Sequence, residues 1–140
     1  MLRILRIPFA VMRAHAEAAY PNECVGAMLG KTGPDGKTVG LAMPLENSAE
    51  GSQQAFYQLS NDSLLAADMA ARQMGMDMLG IYHSHPDADA YFSQTDLKHS
   101  CPWYSFVVLS VKGGEYDHSN SWLPDFEQTR AEREELQIAE

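Results

Sequence analysis

Apolar residues are concentrated in seven short runs of this chain, some of which alternate with polar residues, and most runs are bounded by segments rich in Gly, Pro, Asn and Asp. Alternation with a period of two is typical of β-strands, because successive side chains of a strand point to opposite faces of a sheet. The pattern predicts strands over 2–7, 24–30, 38–44, 55–59, 78–82, 104–111 and 116–122. Turn residues at 31–37 and 113–114 predict two hairpins, which join the second strand to the third and the sixth to the seventh.

The first predicted helix covers residues 8–20. Pro8 fits its first turn, where the missing amide hydrogen of proline breaks no helical hydrogen bond. We expect His15 to lie at the surface of this helix. Helical spacing predicts an inward face made of Phe9, Val11, Ala14 and Ala18.

Two further helices are predicted downstream. One covers about 61–74 and begins at Asn61 or Asp62, either of which can cap the free backbone amides of the first turn. The other is short, covers about 93–100 and begins at Ser93. Strands interleaved with two longer helices and one short helix predict a mixed α/β (α+β) sandwich, with the helices flanking a central mixed sheet.

Length and composition are those of one globular domain. The chain has 140 residues, of which 45% are hydrophobic and 21% are charged, so it can bury a core and does not resemble disordered chains. We therefore expect a single domain over 1–140. Six acidic residues lie within 125–140, and we expect this segment to be a solvated terminus.

The charge of the chain restricts its partners. Nineteen acidic and ten basic residues give a net charge of −9. Nucleic acids and anionic membranes attract basic surfaces, so we expect neither as a partner. Early arginines leave only 7–12 as an uninterrupted apolar run, which is too short for a secretory signal, and no run approaches the ~20 residues of a membrane span.

The chain contains two cysteines, Cys24 and Cys101. Two cysteines do not make a disulfide framework, so we expect a reducing compartment, the cytoplasm. Both thiols fit a buried structural role. A position near a functional site is the alternative, because Cys24 follows a candidate acid, Glu23, and Cys101 follows the short helix.

Candidate metal ligands follow the strand at 78–82. His83 and His85 are two positions apart, so on an extended backbone both imidazoles point to the same side. Pro86 holds His85 out of the helical region and is expected to end the strand pairing. Together with Asp96, the histidines supply three ligands for a divalent ion such as Zn²⁺, with a water in the fourth place.

Hydrolysis at such an ion also needs a base for the water and a donor for the oxyanion, and Glu23 and Ser93 are the candidates. Each has a simpler interpretation. Glu23 also fits an ordinary surface acid. Ser93 and Asp96 form the Ser-x-x-Asp pattern of a capping box, a role that is compatible with metal binding. We expect the two acids between them, Asp87 and Asp89, to be solvated.

The spacing His-Ser-His-Pro, six residues, Ser, two residues, Asp over 83–96 resembles the JAMM motif of the JAB1/MPN/Mov34 metalloproteases. The segment Tyr20-Pro-Asn-Glu23-Cys-Val-Gly26 resembles the upstream Pro-x-Glu-x-x-Gly segment of their compact bacterial members. The order of predicted elements is similar to that of the family over about 4–123. The resemblance implies the cytidine-deaminase-like MPN fold, and all five expected positions carry the expected residue types.

The resemblance also implies an activity. His83, His85 and Asp96 would bind one zinc ion per chain. Glu23 would deprotonate the zinc water and pass its proton to the leaving amine, while Ser93 would stabilise the oxyanion. Compact bacterial members suggest a substrate: a peptide or isopeptide bond at the C-terminal Gly-Gly tail of a small ubiquitin-like or sulfur-carrier protein. We expect this tail to bind as an added strand along a sheet edge beside the zinc.

Two other functions fit parts of the sequence. A non-catalytic MPN-like scaffold would bind a partner protein and keep the ion only as a structural element. A nucleic-acid-processing relative of the RadC type would share the His-x-His-Pro loop. The net charge of −9 and the segment around Glu23 argue against this third possibility.

Overall fold

A computed structural model of the chain describes residues 1–54 and 57–139. Its elements are β1 (Leu2–Ile4), α1 (Arg6–Ala19), β2 (Val25–Gly33), β3 (Gly36–Leu45), α2 (Asn61–Gln73), β4 (Asp77–Pro86), α3 (Gln94–Lys98), β5 (Ser105–Lys112), β6 (Glu115–Pro124), β7 (Ala131–Glu134) and β8 (Leu136–Ile138). The strands form one sheet in the order β7-β6-β5-β4-β2-β3-β1-β8. The predicted mixed fold is confirmed, with two longer helices and one short helix around a mixed sheet.

Strand β4 lies in the interior of this sheet. It pairs antiparallel with β2 and parallel with β5, so neighbouring strands cover both of its sides. Strands β2, β3 and β1 separate it from β8, and β5 and β6 separate it from β7. Strand β4 is therefore an interior strand over most of its length, but its pairing with β2 ends at His83, and the binding of a tail along a sheet edge beside the zinc stays a prediction.

The two ends of the sheet meet near the C-terminus. Strand β7 pairs with β6, and β8 pairs with β1, although only Glu135 separates β7 from β8. The sheet must therefore curve until both of its edges reach one short segment. The expectation of a solvated acidic terminus is only partly right. Glu127, Glu132 and Glu135 are exposed, but 131–134 and 136–138 are strands and Glu134 is buried, with its Oε1 accepting a hydrogen bond from Ser121 Oγ at 3.0 Å.

Helix α1 packs against β3, β4, β5 and β6, and α2 packs against β2 and β4. The buried face of α1 consists of Pro8, Met12 and Ala16, with Phe9 partly buried. The expected face was wrong, since Val11, Ala14 and Ala18 are exposed. The helix begins at Arg6, earlier than predicted. Pro8, Met12 and Ala16 are four residues apart, so they lie on one side of the helix, and this side packs against the sheet.

Two boundaries before β4 also differ from the prediction. The N-cap of α2 is Ser60, whose Oγ accepts a hydrogen bond from Ser63 N–H at 3.1 Å, so Asn61 and Asp62 lie inside the helix. The strand predicted over 55–59 falls partly outside the described residues, and 57–60 forms no strand. Tyr57 instead packs its ring in an apolar cluster, a tertiary role that alternation cannot signal.

Strand β4 is longer than predicted and includes both histidines. Pro86 is its last residue and lies opposite Val111 of β5, so the pairing ends at the proline, as predicted. Asp87 N–H donates to Val111 O at 2.7 Å, so alternate amides in this part of the chain point toward β5. The Pro86 nitrogen thus faces the other side, where the pairing with β2 has already ended at His83.

The two faces of β4 have different surroundings. Tyr82 belongs to the core cluster around α1, together with Met12 and Val107. Ile81 packs on the opposite face with Val25, Tyr57 and Phe106. His83 and His85 share this second face, on which the candidate site lies. Among the described helices, none is both long and apolar enough to cross a membrane.

Candidate metal centre

The two histidines and the aspartate meet where β4 approaches the start of α3. His83 is fully buried and His85 is 5% exposed. Asp96 lies in the first turn of α3, which begins after the N-cap Ser93. Ser93 Oγ accepts a hydrogen bond from Asp96 N–H, and Asp96 Oδ2 accepts one from Ser93 N–H, each at 3.0 Å. This predicted capping box also fixes the direction of the Asp96 carboxylate.

Three ligand atoms form a nearly equilateral triangle. His83 Nε2 lies 3.2 Å from His85 Nε2 and 3.2 Å from Asp96 Oδ2, and His85 Nε2 lies 3.1 Å from the same oxygen. A tetrahedral ion with bonds of about 2.0–2.1 Å would separate its ligand atoms by roughly 3.4 Å, close to these values. Two imidazole nitrogens and a carboxylate oxygen converging on one point fit a bound cation.

Glu23 completes the cluster from the segment before β2. It is 5% exposed, and one of its oxygens lies within 4.8 Å of the other three ligand atoms. Loop residues fix its backbone, since Glu23 N–H donates to Gln53 O at 2.6 Å and Glu23 O accepts from Asn47 Nδ2 at 3.1 Å. The simpler alternative, an ordinary surface acid, is therefore wrong.

Two buried side-chain atoms of the described residues lack a hydrogen-bond partner, namely Glu23 Oε1 and His83 Nδ1. Buried polar atoms are nearly always paired, and leaving one unpaired costs about 1–3 kcal/mol. Such a cost is typical of a functional site. An unpaired carboxylate oxygen beside three convergent ligand atoms suits a group that must bind and deprotonate something there.

The protonation states in the cluster are strongly perturbed. Burial raises the pKa of Glu23 to about 8, with the Asp96 charge acting in the same direction and His85 opposing it. Burial also lowers the pKa of His83, which keeps that imidazole neutral and able to bind a cation. Burial opposes ionisation of Asp96, but the contacts with His83 and His85 outweigh it and hold its pKa below the usual range.

His85 is oriented from its other side. Its Nδ1 lies 3.0 Å from the backbone oxygen of Asp89. A carbonyl can only accept, so Nδ1 carries the hydrogen and the lone pair of Nε2 faces His83 and Asp96. Burial lowers the pKa of His85, but the Asp96 carboxylate beside Nε2 favours the protonated ring and raises the pKa overall. Metal-binding histidines commonly have such a carbonyl partner.

Glu23 lines two hollows. One has a volume of about 240 Å³ and is lined by Glu23, Gln54, His85, Pro86, Ala88, Tyr91 and Ser93. The other has a volume of about 300 Å³ and is lined mainly by Asn22, Glu23, Cys24, Glu46, Asn47 and Gln53. Ser93 Oγ accepts one hydrogen bond, from Asp96 N–H, and can donate its own hydrogen into the first hollow.

The structure thus brings together all five residues that the sequence singled out. Their aromatic neighbours were not foreseen: the Tyr57 ring lies 4.6 Å from the His83 ring, and Tyr91 lies 4.9 Å from His85. Single aromatic residues in loops carry no sequence signal of their contacts. Only the position of Tyr91 within the sequence motif could have suggested its contact with His85.

Asp87 and Asp89 are exposed but are not simply solvated, as had been expected. Asp87 Oδ2 accepts a hydrogen bond from Tyr20 OH at 2.6 Å, and its Oδ1 accepts one from Gly113 N–H at 2.8 Å. Asp89 forms an ion pair with Lys112 at 2.7 Å. These partners are distant in sequence, and they fix the loop that follows the histidines.

Both cysteines are free thiols and lie outside the metal-ligand cluster of the described residues. Burial raises the pKa of Cys24 to about 12 and that of Cys101 to about 11. Cys101 lines a separate apolar cavity with Tyr57 and Tyr104. Cys24 is buried but lines the second hollow beside Glu23, so it lies near the candidate site, whereas Cys101 is only partly buried and lies in the separate cavity. His15, expected at the surface, is half-buried and lies 2.8 Å from Tyr82 OH.

A family comparison agrees with this geometry. The family described as prokaryotic homologs of the JAB domain matches residues 8–124. The chain belongs to this family. The matched range contains Glu23 and the whole segment 83–96, so the residues of the cluster lie within the JAB domain.

Named relatives of this JAB-domain protein are enzymes. It is 32% identical to a desampylase of Haloferax volcanii over 81% of this chain and 78% of the relative. A CysO-cysteine peptidase of Mycobacterium tuberculosis is 34% identical, over 72% and 67% of the two chains. A protein of Thermus thermophilus named "Probable TtuB-protein conjugate cleaving protease" is 30% identical, over 79% and 72%. The JAB-domain protein is a hydrolase of the JAMM type.

A solved structure supports the fold. The solution structure of protein DSY2949 from Desulfitobacterium hafniense superposes with a TM-score of 0.86 at 27% identity. It covers 100% of this chain and 94% of the other. The match extends over the C-terminal strands β7 and β8, the part of the fold that the sequence pattern did not predict.

Proposed function

We propose that this protein is a zinc-dependent metallopeptidase that hydrolyses a peptide or isopeptide bond at the C-terminal Gly-Gly tail of a ubiquitin-like or sulfur-carrier protein. One observation carries the proposal. Buried Glu23, with an unpaired carboxylate oxygen, lies within 4.8 Å of three convergent ligand atoms from His83, His85 and Asp96. Structural zinc sites are typically closed by four Cys or His ligands, whereas this cluster contains two histidines, two carboxylates and no cysteine.

His83, His85 and Asp96 would hold one zinc ion through Nε2, Nε2 and Oδ2. Two nitrogens and one carboxylate oxygen are the ligand set of many catalytic zinc sites, which keep their fourth position open. When bound, zinc supplies Lewis acidity, which acidifies water and polarises a carbonyl. The ionised state of Asp96 and the neutral state of His83 favour binding of a cation.

Glu23 would act as general base and then as general acid. Its unpaired Oε1 accepts a proton from the attacking water and later delivers it to the leaving amine. A carboxyl group with an ordinary pKa would be a poor acid at neutral pH. Burial raises the pKa of Glu23 to about 8, which brings proton uptake and release close to balance.

Ser93 would stabilise the oxyanion of the attacked amide. Its Oγ is held by the helix cap and borders the hollow that also contains Glu23 and His85. A fixed donor aimed at developing charge needs no reorganisation during the reaction, and losing one such donor typically lowers kcat by about 10²–10³.

The relatives support the substrate class. Their names describe a desampylase, a CysO-cysteine peptidase and a protease for TtuB-protein conjugates. A tail in an extended conformation would occupy one of the two hollows beside Glu23, and the departing group would leave from the other. We also propose that 1–140 acts as one domain in the cytoplasm, a compartment that suits the two free thiols.

The decisive experiment compares Glu23→Gln with wild-type enzyme, with Glu50→Gln as a control that removes an exposed negative charge. The substrates are the host's ubiquitin-like carriers with C-terminal extensions, and mass spectrometry identifies the products. We expect one zinc per chain in all three proteins and cleavage only by wild type and the control.

Wild-type cleavage by Glu23→Gln would refute the mechanism. A folded wild-type protein that contains no zinc, and that cleaves no carrier, would instead support the scaffold function.

A further inference from the structure

We propose that Asp117 and His118 of β6 position the metal ligand His85, acting through the peptide group that joins Asp89 to Ala90. The proposal rests on the metal site of the proposed function and goes beyond it by assigning a role to two residues outside the motif. Both side chains are substantially exposed, 48% and 36%, so they contribute little to the core.

The first link is the contact between His85 and the loop. His85 Nδ1–H donates to Asp89 O at 3.0 Å, which directs Nε2 toward His83 and Asp96. The orientation of this ring and its tautomer therefore depend on where one carbonyl points.

The second link uses the other end of the same peptide group. Ala90 N–H donates to His118 Nε2 at 3.1 Å. His118 Nε2 acts as an acceptor, so the hydrogen of this imidazole is on Nδ1, which lies 2.6 Å from Asp117 Oδ2. Asp117 thus selects the tautomer of His118 that can hold the peptide.

The three hydrogen bonds run in one direction. Each N–H points away from the metal site, from His85 through the 89–90 peptide and His118 to the Asp117 carboxylate. Aligned hydrogen bonds polarise one another. The negative charge of Asp117 therefore makes the Asp89 carbonyl a better acceptor, and the stronger bond makes His85 Nε2 a better electron donor.

A rigid frame holds the peptide in place. Ala90 is fully buried, and its oxygen accepts hydrogen bonds from Asn120 Nδ2 at 3.1 Å and Trp122 Nε1 at 3.0 Å. His118, Asn120 and Trp122 are two residues apart along β6, so one face of the strand supplies all three contacts. Asn120 and Trp122 anchor the loop, but only His118 lies on the path to His85.

The test compares His118, which is hydrogen-bonded to the peptide that contacts His85, with Trp122, which only holds the loop. Zinc chloride alone is the probe, and chelator competition gives the zinc affinity of the purified chain. We expect His118→Ala to weaken zinc binding about 10–100-fold, as loss of an outer-shell partner does. Asp117→Asn should weaken it less, because His118 can still accept. Glu115→Gln removes an exposed charge from the same strand and should bind zinc like wild type.

Trp122→Phe separates positioning from anchoring. It removes one hydrogen bond to Ala90 but keeps an aromatic ring at this position and leaves the hydrogen bonds between His118 and His85 in place. We expect a thermal shift comparable to that of His118→Ala, with nearly unchanged zinc affinity. Equal zinc affinity in wild type and His118→Ala would overturn the proposal, as would an equal loss in Trp122→Phe and His118→Ala.

Imidazole nitrogen NMR provides a readout that needs neither metal nor substrate. In the metal-free wild type, His118 should show one tautomer, with hydrogen on Nδ1 facing Asp117 and an acceptor at Nε2 facing Ala90, and in Asp117→Ala a mixture. An unchanged tautomer in the variant would also refute the positioning role. Failure of the proposed function would appear differently, as a wild-type chain that binds zinc and cleaves no carrier, or binds none.

Discussion

The two faces of strand β4 serve opposite purposes. Tyr82 and His83 are neighbours, and both are completely buried. Tyr82 packs among apolar residues, and its hydroxyl oxygen lies 2.8 Å from His15 Nδ1. His83 directs one nitrogen at two other ligand atoms, and its other nitrogen has no partner among the described residues.

Successive side chains of β4 point to opposite faces, so residues that stabilise the core lie on one face and residues of the candidate site lie on the other. Converging buried polar groups lose more free energy by desolvation than they regain by contact, so the site side of β4 destabilises the metal-free fold. The apolar side offsets that cost. Variants on the two faces should therefore change different measurements: metal content and cleavage on one, and the free energy of unfolding on the other.

The largest effect is expected from His83→Leu. Leucine keeps an apolar volume beside Tyr57 but supplies no ligand atom, so zinc content should fall from one per chain to near zero and cleavage to background. Unfolding of the metal-free variant by urea should require at least as much free energy as wild type, because a buried polar group is removed. His99→Leu, at an exposed histidine, is the control and should keep its zinc. Retained zinc in His83→Leu would contradict the assignment of the ligands.

Tyr82→Ala should have the largest effect on stability. Removing a fully buried aromatic ring leaves a cavity and costs about 3–5 kcal/mol in the free energy of unfolding, measured by urea titration of the metal-free protein. The folded variant should still bind one zinc per chain. Loss of zinc by Tyr82→Ala at temperatures at which the variant remains folded would mean that the two faces of β4 are energetically coupled.

Gly26→Ala tests the same face from the neighbouring strand. A Cβ at this position would lie 2.3 Å from the Tyr82 ring, so the ring must move and the expected cost is about 1–3 kcal/mol. In a Tyr82→Ala background, Gly26→Ala should lower the free energy of unfolding only slightly, because the Tyr82 ring is absent. Gly33→Ala is the matched control, since a Cβ added at Gly33 would meet nothing within 4 Å. Additive costs in the double variant would contradict this packing.

The smallest expected effect concerns the pH dependence of stability. Burial lowers the pKa of His15, so the unfolded chain binds a proton more readily than the folded chain. Stability should therefore fall as the pH drops below about 6.5, the ordinary histidine pKa. Urea midpoints of His15→Gln should fall less than those of wild type between about pH 7.5 and 5.5, the range that brackets that pKa. An unchanged dependence of the urea midpoint on pH would show that the His15 ring does not contribute to the pH dependence of stability.

Most strands and the helical content could be predicted from local sequence. Short apolar runs located the strands around Val25 and Tyr104, and a capping pattern located the start of α3 at Ser93. Such signals depend on a few neighbouring residues, so they survive without knowledge of the fold. The spacing over 83–96 likewise predicted two ligands on one side of a strand and a third from a helix start.

The tertiary structure alone decided which remote groups meet these residues. It turned the acidic terminus into two strands, because a curved sheet leaves both edges beside one short segment. It gave α1 a different buried face, since alanines on several sides of a helix do not specify one. It also placed His118 against the loop of His85, a contact over 28 residues to Ala90.

The sequence therefore determined the chemical groups of the site and their local geometry. The tertiary structure determined the proximity of Glu23 and the environment that raises its pKa to about 8. The physical reason is that local backbone preferences act over a few residues, whereas burial, desolvation and hydrogen bonds between distant segments exist only once the chain has folded.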